Sequence, residues 1–367
     1  MMQRRTFIKT VSTAAAAAAG TAIAAPAIAQ SNPAVRWRMA SSFPKSLDNI
    51  FGAAELLADR LRVLTGGKFE IRAFAAGELV PGFEVLDACQ QGTVECGQTQ
   101  GFYYIGKNKA FAFDSALPFG LNSRMQNAWL YHGGGLEMVR NLYREYNTIV
   151  FPAGNTGVQM GGWWRREMES IDDLKGRKVR IPGIAGEILA RLGAVPQTIP
   201  GSDIYPALEK GTIDAAEWVG PYDDEKLGFY RVAPHYYFPG WWEGCSCLSF
   251  IVNLKEWAKL PPAYKEAFEM ASAEANVRMV AAYDAKNPPA LARLVQQGVK
   301  LHPFPKDVMS AALNAAHDLY EEEASDNPVF RRFYQSWKTF RYAQYQWYRI
   351  AEAPFSNFMA GQRLPHT

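Results

Sequence analysis

Charge of one sign, long apolar runs, histidine and cysteine are all scarce in this 367-residue chain, and each shortage excludes something. Its 39 Lys and Arg stand against 36 Asp and Glu, and Arg4, Arg5 and Lys9 at the N-terminus account for the excess. The rest is near neutral, which argues against nucleic acid or an anionic membrane as partner, since either calls for a concentrated basic face. After residue 29 no uninterrupted apolar stretch reaches the ~18 residues that a membrane helix needs. The five histidines, His132, His235, His302, His317 and His366, are scattered. No H-E-x-x-H, G-x-S-x-G or P-loop pattern accompanies them, and His132, although followed by Gly133-Gly134-Gly135, has no nucleophile elbow to serve. The four cysteines are Cys89, Cys96, Cys245 and Cys247. A chain of this size needs no staples, and two residues apart on a strand Cys245 and Cys247 would strain a direct bond, so free buried thiols are expected.

What is present begins with an export signature. Arg4-Arg5-Thr6-Phe7-Ile8-Lys9, an alanine-rich run from Val11 to Ala25 and Ala27-Ile28-Ala29 read as a twin-arginine signal over residues 1–29, cleaved before Gln30. The remainder exceeds one typical core and suggests two domains. Val35, Trp37 and Met39 alternate as a strand, Leu47 to Leu64 has helical spacing, and Phe69, Ile71 and Ala73 alternate again. A helix over Phe83–Gln91 and a strand from Val94 complete a βαβαβ opening, which predicts α/β architecture with parallel strands and a ligand crevice at their ends. One helix is expected from Met125 to Tyr146. Strand-like runs at Thr148–Pro152 and Val158–Arg165 then lead into a second alternating series ending at Ala215–Val219. Cys245 to Asn253 reads as a returning strand, Pro261 to Gln297 as a long helix broken or bent at Pro288-Pro289, and Asn327 to Met359 as an aromatic helix. Lobe packing and a dimer contact are both open for that aromatic helix.

Two segments are crowded with glycine, aromatic rings and polar groups: Gly157-Val158-Gln159-Met160-Gly161-Gly162-Trp163-Trp164 and Ala216-Glu217-Trp218-Val219-Gly220-Pro221-Tyr222. As a strand, the first would put Gly157, Gln159, Gly161 and Trp163 on one face. Arg180, at the end of Lys178-Val179-Arg180, offers the forked donors that suit a carboxylate, or else a salt bridge. Asn155 lies at the rim of the first segment. Phe102, Tyr103 and Tyr104 follow the third strand, where the first lobe would face a cleft. With Arg180, Glu217 and Glu243 around an acidic ligand, two negative charges would be in excess; sodium would halve the excess and calcium would cancel it.

In these segments and the long helix, the sequence from about Val35 onward resembles the solute receptors of tripartite ATP-independent periplasmic (TRAP) transporters, nearest the subgroup that binds 2-oxo acids such as pyruvate. The resemblance implies a two-lobed periplasmic-binding-protein-like α/β fold with a cleft between the lobes, a long lobe-spanning helix over 261–297 and a C-terminal helical segment over 327–359. Lobe I would take 30–153 and lobe II 154–244, each with parts of 245–367. It implies Arg180 as the substrate clamp, with Gln159, Trp218, Phe102, Tyr103, Tyr104 and Asn155 around the ligand. It implies a metal ion, Na⁺ first and Ca²⁺ next, held by Gln159, Glu217, the Trp218 carbonyl and Glu243. The expected partners are a small carboxylate and a TRAP permease in the membrane, joined by a second copy if the C-terminal helix is a dimer contact, and the expected location is the periplasm. A receptor for lactate or another hydroxy acid, an exported enzyme acting on a carboxylic acid and a sugar-binding module are the alternatives.

Overall fold

Two mixed sheets organise the computed structural model, which describes residues 32–362. The signal read over 1–29 lies outside the described residues. The first sheet comprises β1 (Val35–Ser41), β2 (Phe69–Phe74), β3 (Cys96–Thr99), β4 (Thr148–Asn155) and β10 (Cys247–Asn253), in the order β2-β1-β3-β10-β4. β1 is parallel to β2 and β3, as the βαβ pattern requires, but β10 returns antiparallel between β3 and β4. The second sheet holds β5 (Trp163–Trp164), β6 (Lys178–Arg180), β7 (Val195–Gln197), β8 (Ala215–Ala216), β9 (His235–Phe238) and β11 (Lys300–Pro303), in the order β11-β9-β5-β8-β6-β7. Here too one short strand, β5, runs antiparallel to its neighbours, so neither sheet is purely parallel.

Four expectations need correction. The helix read over 125–146 is two, Ser123–His132 and Gly135–Arg144, because the chain turns at Gly134 with φ +79. The run Val158–Arg165 is a strand only at Trp163–Trp164, because Gly157 and Gly162 take positive φ values that extended backbone does not. Alternation of faces therefore does not organise Gln159. The long helix is not broken at Pro288 and Pro289 but runs unbroken over Pro262–Gln296, which leaves only the bend of the two readings. The carbonyls those prolines free belong to Asp284 and Ala285, which lie on the exposed side. The aromatic tail is also two helices, Pro328–Ala351 and Ala353–Ala360. A helix over Lys306–Asp326 was not foreseen. All four cysteines are free and buried.

The long helix is tied to elements of both sheets. Its Glu274 pairs with Arg60 of the helix that follows β1, and its Tyr283 hydroxyl donates to buried Asp223 of the helix Pro221–Leu227 in the second lobe. Nearby, Asp48 in the first lobe accepts from the Tyr222 hydroxyl at 2.7 Å and pairs with Lys226, both on the second lobe's helix, and with Lys286 of the long helix at 3.6 Å. Among the described residues no helix is long and apolar enough to cross a membrane.

Candidate functional site

Parallel strands β6 and β8 pair Arg180 with Ala216 in register, so the chain leaving them sets Arg180 beside Glu217. This is the strand-end position at which α/β crevices receive ligands. Arg180 is 2% exposed. Its Nε donates to the Ile199 carbonyl at 3.0 Å and its Nη1 to the Glu217 carbonyl at 3.0 Å, while Nη1 also forms an ion pair with the Glu217 carboxylate. The guanidinium carbon lies 5.1 Å from the centre of the Trp218 ring, a cation–π distance.

Backbone hydrogen bonds bring the remaining groups in. Gln159 N donates to the Glu243 carbonyl at 3.1 Å, Met160 N to Val219 O at 3.0 Å, and Gly240 N to Gln159 O at 2.9 Å. Segments 157–162, 217–220 and 239–243 are thus stitched together without being strands. The stitching demands glycine at 240, where a Cβ would stand 2.6 Å from the carbonyl oxygens of both Gln159 and Met160.

Gln159, Arg180, Glu217, Trp218, Val219 and Glu243 line one small cavity, with a free volume of about 10 Å³. Phe43, Ile50, Gln100, Phe102 and Tyr103 of the first lobe complete its wall. Tyr104 and Asn155 are not in that wall. The Tyr104 hydroxyl is turned into the first lobe, sharing a hydrogen with Thr99 Oγ1 at 2.6 Å and accepting from Leu86 N. Asn155 Oδ1 is used locally, accepting from Gly157 N at 2.9 Å. Phe43, Ile50, Gln100 and Val219 were missed from the sequence. Phe43 follows the end of β1, and strand-end position was the signal that could have found it.

The cavity is mostly aromatic and aliphatic on the first-lobe side, with the amide of Gln100 among those residues, and charged on the other, and its polar atoms are unevenly satisfied. Gln159 Oε1 and Glu243 Oε2 are buried acceptors without a donor, and Trp218 Nε1 is a buried donor without an acceptor. Buried polar atoms are nearly always paired, so this set fits a cation facing the oxygens and an anionic oxygen facing the indole. All the side-chain acceptors are oxygens, the donor set of a hard ion. Burial pushes the Glu217 carboxyl up, against the pull of Arg180; burial, reinforced by Glu217, pushes Glu243 well up.

The fastening on Asp48 lies outside the residues that line this cavity and ties the segment ahead of the helix Ile50–Leu64 to the helix Pro221–Leu227. Its ion pairs are partly exposed, with the Asp48 side chain 54% and Lys226 30% accessible, and such clusters contribute only about 1 kcal/mol. Asp48→Ala is expected to speed release of a cavity ligand roughly fivefold with little change in capture rate. Stopped-flow fluorescence checks this, and an unchanged release rate would remove Asp48 from the closing contacts.

Residues 40–326 match the model of the bacterial extracellular solute-binding protein family 7, DctP. The chain is 51% identical, over 90% of its own length and 91% of the relative's, to the monocarboxylate 2-oxoacid-binding periplasmic protein of Nostoc sp.. It is similar to a TRAP transporter solute-binding protein of Bordetella bronchiseptica at 54% identity and a TM-score of 0.88, covering 89% of this chain and 98% of that one. That structure is a mixed-occupancy dimer with copurified calcium and picolinate in one site and the other apo. A TRAP periplasmic solute-binding protein of Pseudoalteromonas atlantica, 35% identical with a TM-score of 0.86 and covering 90% and 99% of the two chains, carries sodium and pyruvate.

Proposed function

Since the chain belongs to the DctP family of extracellular solute-binding proteins, and is a receptor rather than an enzyme, we propose that it captures a small 2-oxo monocarboxylate of the pyruvate type together with a metal ion and delivers it to a TRAP permease. The observation that carries the reading is the uneven cavity: one buried guanidinium, two buried carboxylates and, among its oxygens, two acceptors with no donor. Arg180 is the clamp for the substrate carboxylate. Gln159 Oε1, the Glu217 carboxylate, the Trp218 carbonyl and Glu243 hold the ion, which offsets the excess negative charge and draws substrate oxygens to it. The choice between sodium and calcium follows the relatives, which carry either. Phe43, Phe102 and Tyr103 close the apolar side and limit chain length.

Export follows the twin-arginine pattern over residues 1–29, and the lobe division is that of the two sheets, with 30–153 and 154–244 as their principal segments. Pairing of two copies is supported by the last helices, where Trp347, Ile350, Phe355 and Phe358 are all more than 60% exposed, too large an apolar display for an ordinary surface.

The test is thermal unfolding of the ligand-stripped protein with 2-oxo acids, 2-hydroxy acids, dicarboxylates and neutral sugars, each in sodium, calcium or chelated potassium buffer. Stabilisation by 2-oxo monocarboxylates that requires a metal is expected; at a hundred times Kd it amounts to about 2.7 kcal/mol. A shift with another class alone would replace the substrate, and turnover of any acid would contradict a receptor.

A further inference from the structure

At the far end of the second sheet, away from the cavity, β5, β9 and β11 bring together a second set of ligating groups. His235 opens β9 and His302 lies in β11, in register with Tyr237. Residues two apart share a face of a strand, so both imidazoles stand on the same side of the sheet. β5 pairs Trp164 with His235, and the chain leaving it delivers Glu167 to that side. His235 Nδ1 is 3.0 Å from His302 Nε2, and His302 Nδ1 is 3.3 Å from Glu167 Oε1. Taking one ligand atom from each residue, all three lie within 4.8 Å of one another. The Tyr237 ring stacks on His302, centroids 5.1 Å apart and planes 22° from parallel, which fixes the plane of that imidazole.

We propose that Glu167, His235 and His302 form a binding site for a transition-metal ion of the zinc class, separate from the hard-ion site of the cavity. Two imidazoles and one carboxylate are a donor set for Zn²⁺, Ni²⁺ or Cu²⁺ and a poor one for Na⁺ or Ca²⁺. Ligand atoms about 2.0–2.2 Å from a tetrahedral ion stand roughly 3.4 Å from each other, so the two imidazole nitrogens are already near that spacing. The carboxylate has about an ångström and a half to close, and the Glu167 side chain, 51% exposed, has room to do it. Water would take the fourth position. The plain alternative is a hydrogen-bonded row from His235 through His302 to Glu167. That row uses both nitrogens of His302, whereas an ion takes only Nε2, so the Glu167 carboxylate leaves Nδ1 to reach the ion and the ion replaces the proton shared between the two histidines. Three strands from distant parts of the sequence would then be clipped at the sheet's edge, upstream of the turn that leads from β9 to Glu243.

The untagged full chain, stripped with chelator, is titrated with ZnCl₂ by calorimetry in sodium buffer. Uptake of one ion per chain is expected, with a higher unfolding temperature in zinc than in chelator. His302→Ala and His235→Ala should each weaken zinc uptake at least tenfold while leaving 2-oxo acid binding in place, and Glu243→Gln should leave zinc uptake intact. Should either histidine variant fold poorly, Glu167→Ala at the exposed position asks the same question. Absence of saturable uptake, or uptake that survives the His235→Ala and His302→Ala double substitution, overturns the site.

Discussion

Arg180→Met is expected to lose substrate binding by two orders of magnitude or more and to unfold at a distinctly lower temperature. Both effects follow from one fact: the guanidinium is buried, with Nε and Nη1 committed to Ile199 and Glu217. Truncating one member of a buried, hydrogen-bonded charge pair costs roughly 2–5 kcal/mol, largely because the other charge stays behind unpaired. Without Arg180 the carboxylate of Glu217 is that remaining charge, and an incoming substrate carboxylate would meet two acids with no fixed cation. Arg180→Lys separates charge from shape, since lysine keeps the charge and lacks the planar fork. Calorimetry should therefore place it between the native protein and Arg180→Met. If Arg180→Met bound 2-oxo acids normally in metal-containing buffer, the clamp would have to be sought elsewhere in the cavity.

Glu243→Gln is the second large effect, and it has opposite signs in the two states of the protein. Burial and Glu217 hold the Glu243 carboxyl well above its ordinary value of 4.5. A raised folded-state value means stability that is full below the unfolded value and is lost as pH rises through the folded one. Well above 4.5 the metal-free protein thus bears a cost at Glu243 that an amide avoids, and the amide should raise its unfolding temperature. Cation binding needs the ionised oxygens, so the same change should weaken it a hundredfold or more, on the scale of a lost buried charge contact. In the native protein, the raised carboxyl values mean that a metal ion competes with protons for these acids. Apparent cation affinity should accordingly rise with pH, by up to tenfold per unit for one proton released, across the interval from about 4.5 upward. Measuring the metal-induced shift in melting temperature from pH 5 to 8 for both proteins checks this. A shift independent of pH in the native protein would mean the acids are already ionised.

How legible the cavity was depended on the kind of position each residue occupies. Arg180 and Glu217 sit where strands end, a position that periodicity locates well, and family resemblance gave them roles. Gln159 was singled out through an alternation of faces that the backbone does not follow. Its placement comes from hydrogen bonds to Glu243 and Gly240, which no local pattern announces. The first-lobe wall was half visible: Phe102 and Tyr103 line it, whereas Tyr104 belongs to a hydrogen-bonded core and Ile50 opens a helix whose buried face it shares with Leu57 and Leu61. In the fold, the helix Lys306–Asp326 is hard to read because half of its buried side is alanine, Ala312, Ala316 and Ala324, which dilutes the stripe that Val308, Leu319 and Tyr320 would otherwise mark. The aromatic tail shows the reverse difficulty. Phe330, Phe333 and Trp337 are buried while Trp347, Phe355 and Phe358 are exposed, and composition gives them one appearance.

The four unpaired cysteines have a practical meaning for following the protein at work. Each thiol is buried, and burial raises their pKa values, that of Cys245 to about 12. Thiol reagents attack the thiolate of an accessible sulfur, so the folded chain offers them almost nothing. A single cysteine introduced on the cleft rim would then be the position that takes a fluorescent label, with no native residue to remove first.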